Sequence, residues 1–278
     1  MRCSTSSLRT ALAALAVLPI ASAYAVPPAP VQSPFFYPFS VEGVVEEAGS
    51  PSQSDSAYWW VSSGAYFFVA DGVGETQQGP LPQNDYWRLA YARSNPVDTD
   101  NGYRPQNIFR MVGRSKWGNA RQQVYFLIAA DNLSGSPNRN ASNGVLLLNR
   151  YQDQNNLYYT GLRVDGAAVI KKKKAGVYYT IAYKNVFAGP PYNRDTNPSL
   201  LPKNVWMGIT SEVLNNPNGS VRIRFHVNPG NGAWSLVFDV VDDGVQFGGA
   251  PFTQPGYGGL RTDFMDVAFD NYLFKTLP

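Results

Sequence analysis

The sequence predicts an all-β chain, a two-sheet antiparallel β-sandwich of jelly-roll type. Three observations predict it. Apolar runs of strand length recur between turn signals along most of the chain. Aromatic and turn-forming residues are abundant, with 17 Tyr, 15 Phe, 6 Trp, 25 Gly and 21 Pro, against only 15% charged residues. No stretch of helical length shows a 3.6-residue apolar period.

Residues 1–25 stand apart. A basic start with Arg2 and Arg9 precedes the apolar run "ALAALAVLPIA" and the small-residue stretch "ASAYA". This is the layout of a secretory signal peptide, and the run is too short to span a bilayer. The expected location is therefore secreted or periplasmic, with no membrane insertion. The segment holds two of the 23 basic residues and none of the 20 acidic ones, so its removal leaves 21 against 20. A near-neutral chain gives no reason to expect a nucleic-acid partner, and any basic surface must be local. Cys3, the only cysteine, leaves with the signal. What remains must be held by its core, without disulfides.

Residues 26–40, "VPPAPVQSPFFYPFS", form a proline-rich lead, with no regular structure expected before about Phe39. Residues 41–278 then read as one jelly-roll domain, with no linker or repeat inside it. "YWWVSSGAYFFVADG" gives two short strands, and "DYWRLAYARS" alternates as another. "QNIFRMVGRS" and "RQQVYFLIAADNLS" suggest a hairpin around 116–119. "NGVLLLNRYQ", "NLYYTGLRV", "AAVIKKKK" and "VYYTIAYK" follow closely. "NVWMGITSEV", "SVRIRFHVN", "AWSLVFDVVDD" and "MDVAFDNYLF" complete a set of about 12 strands. Two long loops, 187–204 and 243–259, must be functional or packed over an edge.

The order of "WWVSSGAYFFVADG", "GVLLLNRYQDQNNLYYTGLRVDGAAVIKKKKAGVYYTIA", "VRIRFHVNPGNGAWSLVFDVVDDG" and "YGGLRTDFMDVAFDNYLF" resembles the concanavalin A-like lectin/glucanase jelly-roll superfamily. Within it the pattern is similar to polysaccharide lyases of the glucuronan lyase type. The resemblance covers most of residues 40–275 and implies a carbohydrate-active protein. It also implies a structural calcium ion joining the N-terminal region to the last strand, with Glu42 and Asp270 in the corresponding positions. Hard oxygen ligands suit that ion. No organic cofactor is expected.

The residues themselves narrow the chemistry. A single histidine and no cysteine after residue 3 exclude cysteine-rich zinc sites and leave little for a histidine triad. A retaining glycosidase needs two placed carboxylates. The five glutamates (42, 46, 47, 75 and 212) do not form the E-x-D-x-x-E pattern of jelly-roll glucanases. A polyuronate lyase needs instead a cation for the substrate carboxylate and groups that move protons.

The lysine run 171–174 supplies one such arrangement. Asp165-Gly166 signals a two-residue turn. That turn would set Tyr159 opposite Lys172, and a four-residue loop at 153–156 would set Arg150 opposite Tyr159. Strand alternation sends Lys172 and Lys174 to one face and Lys171 and Lys173 to the other. Arg150 and Lys172 would clamp a sugar carboxylate, with Arg163 at the far end. Tyr159 or His226 would handle protons. Arg222 and Arg224 alternate outward beside His226 and would bind anions. Alginate-lyase strand motifs of the R-x-E-x-R, Q-x-H and Y-F-K-A-G kind are absent. The expected partner is an acidic polysaccharide. Lyase chemistry is favoured over hydrolysis, with a non-catalytic carbohydrate-binding module or a structural envelope protein as the alternatives.

Overall fold

The computed structural model describes residues 25–278. The signal assigned to 1–25 lies outside them except for its last residue, and Cys3 lies outside them too. In chain order the strands are β1 (Phe35–Tyr37), β2 (Gly43–Glu46), β3 (Trp59–Ser63), β4 (Tyr66–Ala70), β5 (Val73–Thr76), β6 (Arg110–Trp117), β7 (Ala120–Asp131), β8 (Gly144–Asp153), β9 (Asn156–Arg163), β10 (Ala167–Lys174), β11 (Val177–Asn185), β12 (Met207–Asn215), β13 (Val221–Asn228), β14 (Ser235–Asp242), β15 (Gly256–Thr262) and β16 (Met265–Thr276). One α-helix, α1 (Tyr86–Ser94), lies between β5 and β6.

Two antiparallel sheets form the jelly-roll sandwich. A nine-stranded sheet runs β14-β13-β12-β7-β16-β5-β4-β2, with β1 paired to β16. A seven-stranded sheet runs β11-β10-β9-β8-β15-β6-β3. Alternation drives one side of each strand into the space between them. On β13, Val221, Ile223, Phe225 and Val227 point inward and are buried, as the sequence pattern predicts. Val145, Leu147, Tyr158, Leu162 and Ile170 meet them from the seven-stranded sheet. Trp59, Phe39, Phe67 and Tyr272 fill one end as an aromatic cluster. A second, smaller cluster sits on the other face of the seven-stranded sheet. It contains Leu146, Leu148, Tyr151, Leu157, Tyr159 and Val169.

Three local expectations are corrected. "DYWRLAYARS" is helical, because Asp85 caps the first turn by accepting from the amides of Trp87 (2.8 Å) and Arg88 (3.1 Å). Pro96 ends the segment. Residues 116–119 do not close a hairpin, since β6 and β7 belong to different sheets and the turn carries the chain between them. Regular structure in the proline-rich lead starts before Phe39: Phe35–Tyr37 pairs with Tyr272–Phe274 between two prolines. Among the described residues no helix is long and apolar enough to cross a membrane.

Candidate functional site

The site is set by two hairpin irregularities. The β9–β10 connection is a three-residue loop, Val164 to Gly166, not a two-residue turn. Gly166 adopts φ 81°, its amide donates to Arg163 O (2.9 Å), and a Cβ there would lie 2.6 Å from Phe187 O. Only glycine fits that left-handed position. The extra residue slips the pairing by one, so Lys171 faces Tyr159 and Lys172 faces Tyr158. In β8, the register shifts between Asn149 and Asp153, and Arg150 takes φ 50°. This bulge places Leu148, not Arg150, opposite Tyr159.

The slip creates a cleft on the outer face of the seven-stranded sheet. It encloses about 400 Å³ and is floored by Leu146, Tyr159, Lys171 and Arg261. Tyr178 closes it on the β11 side, while Asp98, Asn138, Asn140 and Ser142 come from loops along the rim. The Tyr159 ring is fully buried and stacks on Tyr178 with centroids 6.1 Å apart. Its hydroxyl is buried and has no hydrogen-bond partner among the described residues. An orphaned buried hydroxyl is costly unless something else, such as a ligand, bonds to it.

Charges around the phenol oppose one another. Burial pushes the Tyr159 phenol up, while Arg261, Arg110 and Lys173 pull it down, and burial wins. It is therefore a proton donor at neutral pH. Burial and the nearby Arg163 lower the Lys171 ammonium, opposed by Asp263. Burial works against Arg261's charge, but Asp263 outweighs it through bonds of 2.9 Å from Nε and 2.7 Å from Nη2. Burial raises Asp98, but hydrogen bonds from Ser136, Asn138 and Asn95 outweigh it and hold the carboxyl below its usual range. Among the described residues, no carboxylate lies within salt-bridge reach of Lys171 or Lys173.

Of the sequence-predicted residues, only Tyr159 lines this cleft. Lys172 points the other way, into the sandwich, where its Nζ reaches Asp242 Oδ2 (2.8 Å) and Gly249 O (2.6 Å). The same carboxylate accepts from the Tyr158 hydroxyl (2.6 Å). Arg150 is buried and spends its guanidinium on Thr253 O (2.7 Å), Gln254 O (3.1 Å) and Asn215 Oδ1 (3.1 Å). Lys174 adds a bond to Ala250 O (2.9 Å). These three cations hold the long loop after β14 over the edge of the sandwich, so Arg150 and Lys172 cannot clamp a substrate. Arg163 sits near the cleft margin, tied to Asp165 (2.7 Å) and stacked on Tyr183.

His226, Arg222 and Arg224 alternate outward as expected, but from the nine-stranded sheet, on the opposite side of the molecule from Tyr159. Arg222 is paired with Asp239 (2.6 Å), and Arg224 with Glu212 (3.3 Å) and Asp239 (3.4 Å). Their charge is compensated, and His226 cannot serve a reaction at Tyr159. Burial lowers the His226 imidazole, so it is neutral at pH 7.

The calcium ligands do not fit a shared ion. Phe269, Gly74, Val69 and Gly43 lie in one row across β16, β5, β4 and β2. Glu42 and Asp270 are each one residue further on, at the ends of the next row. Three strand spacings put them about 14 Å apart. Asp270 instead accepts from the Asn271 amide (2.6 Å) and side chain (2.7 Å). No group of three His, Cys, Asp or Glu that could hold a metal occurs among the described residues.

Sequence reasoning missed Lys171, Tyr178, Arg261 and Asp263. The alternation of the lysine run did signal that Lys171 and Lys173 share a face. Pairing Arg261 to that face required knowing that β15 inserts beside β8, a contact between strands more than 100 residues apart.

No protein-family model matches the chain, and no curated protein sequence matches it. Solved structures do show likeness. The carbohydrate binding module CBM66 from Bacillus subtilis is 12% identical with a TM-score of 0.49, covering 78% of this chain and 95% of that one. A Bacillus licheniformis β-glucanase is 10% identical with a TM-score of 0.47, covering 90% of this chain and all of that one. The GH43 protein BlXynB from Bacillus licheniformis is 11% identical with a TM-score of 0.48 over 87% of this chain, which spans 39% of its length. No residue assignment follows at these identities.

Proposed function

We propose that the protein is carbohydrate-active and binds an acidic saccharide in the Tyr159 cleft. The observation that carries this reading is the Tyr159 hydroxyl, unpartnered among the described residues, lying across from Lys171, which has no carboxylate within salt-bridge reach among them. A sugar hydroxyl or ring oxygen satisfies the phenol, and a sugar carboxylate satisfies the ammonium. Tyr178, half exposed and stacked on Tyr159, offers a ring face for stacking, and Asn138, Asn140 and Ser142 add neutral hydrogen-bonding groups. The leader expected over residues 1–25 puts this activity outside the cytoplasm.

The same groups support β-elimination of a polyuronate as the reaction. Arg261 lines the cleft with its Nε and Nη2 bonded to Asp263, which leaves Nη1 to meet the substrate carboxylate and favour negative charge building up beside it. In this reaction Lys171 acts from its uncharged amine form, which burial favours, and accepts the proton from the carbon next to the carboxylate; its ammonium form binds the carboxylate without reacting. That C–H pair forms the new C=C bond as the glycosidic C–O bond breaks, and Tyr159 O–H delivers a proton to the departing oxygen. Proton return from Lys171 to the phenolate restores the site.

The test is incubation of the purified protein with glucuronan, alginate and pectate, reading both binding and the ultraviolet absorbance of unsaturated uronate. Product formation that is lost in Tyr159→Phe and Lys171→Met supports elimination. Binding without product, lost in Lys171→Met, supports a non-catalytic module. A folded protein that neither binds nor cleaves any of the three overturns the acidic-saccharide reading.

A further inference from the structure

Beyond the cleft, the outer face of the seven-stranded sheet carries a row of side chains at right angles to the strands. Lys116 of β6 pairs with Tyr257 of β15, and Tyr257 pairs with Tyr151 of β8. The β8 bulge then brings Leu157 of β9 into the same apolar cluster as Tyr151. Leu157 pairs with Lys173 of β10, and Lys173 pairs with Tyr178 of β11. Each lysine sits over a phenol ring: Lys116 Nζ is 5.2 Å from the Tyr257 centroid, and Lys173 Nζ is 4.8 Å from that of Tyr178. Arg110 stands 5.9 Å from the Tyr151 ring between them. Neither lysine has a carboxylate within salt-bridge reach among the described residues.

Two unpaired cations, each on a tyrosine face, thus stand at the two ends of one row. Four strand spacings separate them, about 19 Å. A short saccharide in the cleft reaches only the Lys173 end. A ligand that touches both ends is extended and carries anionic groups along its length. The unit of ring plus cation recurs, which matches a repeating polymer better than a single decorated sugar.

We propose a second anionic-sugar subsite at Lys116 and Tyr257, continuous with the Tyr159 cleft, so that the ligand is an extended acidic polysaccharide lying across the strands. This deepens the acidic-saccharide reading and rests on it. The second contact is intramolecular once the first is made, so it raises affinity with chain length.

The experiment is titration calorimetry with oligouronates of increasing length, from dimer to decamer, on the wild-type protein, Lys116→Ala and Lys171→Met. Lys116 is exposed, so its truncation leaves the fold intact. Affinity is expected to rise by about tenfold or more once the oligomer spans both sites, and Lys116→Ala to remove that rise while leaving the shortest binding ligand unaffected. Affinity independent of length, or a long-oligomer affinity unchanged in Lys116→Ala, overturns the second subsite. If short oligomers still bind and Lys171→Met abolishes that binding, the cleft reading survives this failure. If no length binds, the cleft reading itself fails. A sulfated oligosaccharide of equal length, run alongside, distinguishes the anion: tighter binding of the sulfated chain overturns the carboxylated assignment.

Discussion

Lys171 stands directly across from Tyr159 in the antiparallel pair of β9 and β10. Side chains so placed have Cβ atoms about 5 Å apart, close enough to act on one sugar unit. One residue along, Lys172 faces Tyr158 on the opposite side of the sheet, and that pair is sealed in the core around Asp242. Adjacent lysines therefore have unrelated work, and substitutions separate them.

Tyr159→Phe removes a hydroxyl that bonds to nothing among the described residues. Its stability should change by less than about 1 kcal/mol, or rise, because no hydrogen bond is lost. Ligand affinity or turnover should fall about tenfold or more if a sugar takes that hydroxyl. Thermal unfolding alongside the binding assay checks both halves. A destabilised variant with unchanged binding would contradict the assignment.

Lys172→Met strands the Asp242 carboxylate in the core. Urea unfolding should show a loss of about 3–5 kcal/mol, since a buried charge is left without its partner. Asp242→Asn should behave similarly. The double variant Lys172→Met with Asp242→Leu should recover much of the loss, because apolar replacement of a whole buried pair is often neutral. A double variant no better than the singles would show that the Gly249 and Tyr158 bonds dominate.

Arg150→Ala leaves the carbonyls of Thr253 and Gln254 without their donor. Limited proteolysis should then cut within 243–255 well before the wild-type loop is cut, with a stability loss of about 2–4 kcal/mol. Saccharide binding should persist, as Arg150 does not line the cleft. Loss of binding with an intact loop would return Arg150 to the site.

Asp98 gives a pH signature. Its carboxyl is held below the ordinary aspartate range, so the folded state binds its proton less readily than the unfolded chain. Its stabilising contribution is present above that range and disappears as pH falls through the lowered value. Asp98→Asn should therefore be less stable than wild type at pH 7, and the gap should close in acid. Unfolding free energies measured stepwise from neutral pH down to about pH 2, below the ordinary aspartate range, test this. A gap constant with pH would remove the carboxylate's charge from the rim.

Much of the fold was legible because strand alternation is a local property. The inward set on β13 and the split of the lysine run both follow from a period of two. Two features of the site were not legible. The Gly166 loop differs from a two-residue turn by one residue, and the Asp-Gly signal is compatible with either. The Arg150 bulge shows in its backbone angle but has no marker in the sequence. His226 illustrates a different limit: its outward direction was readable, but which sheet it belonged to was not. The helix at 86–94 was hidden because Asp85 acts through capping, while the residues after it happen to alternate.

The three residues Val164–Gly166 act as an address for every side chain that follows on β10. Deleting one of them would shift the strand by a single step and exchange its two faces. Lys171 and Lys173 would turn into the sandwich, and Lys172 would emerge beside Tyr159. The cleft would keep a cation, Lys173 would take the place of Lys172 opposite Tyr158 and Asp242, and Lys171 would be a further cation buried in the interior. Loop length here is thus under a constraint independent of the loop's own composition, and a homologous chain with a shorter turn would need a different run of residues after it.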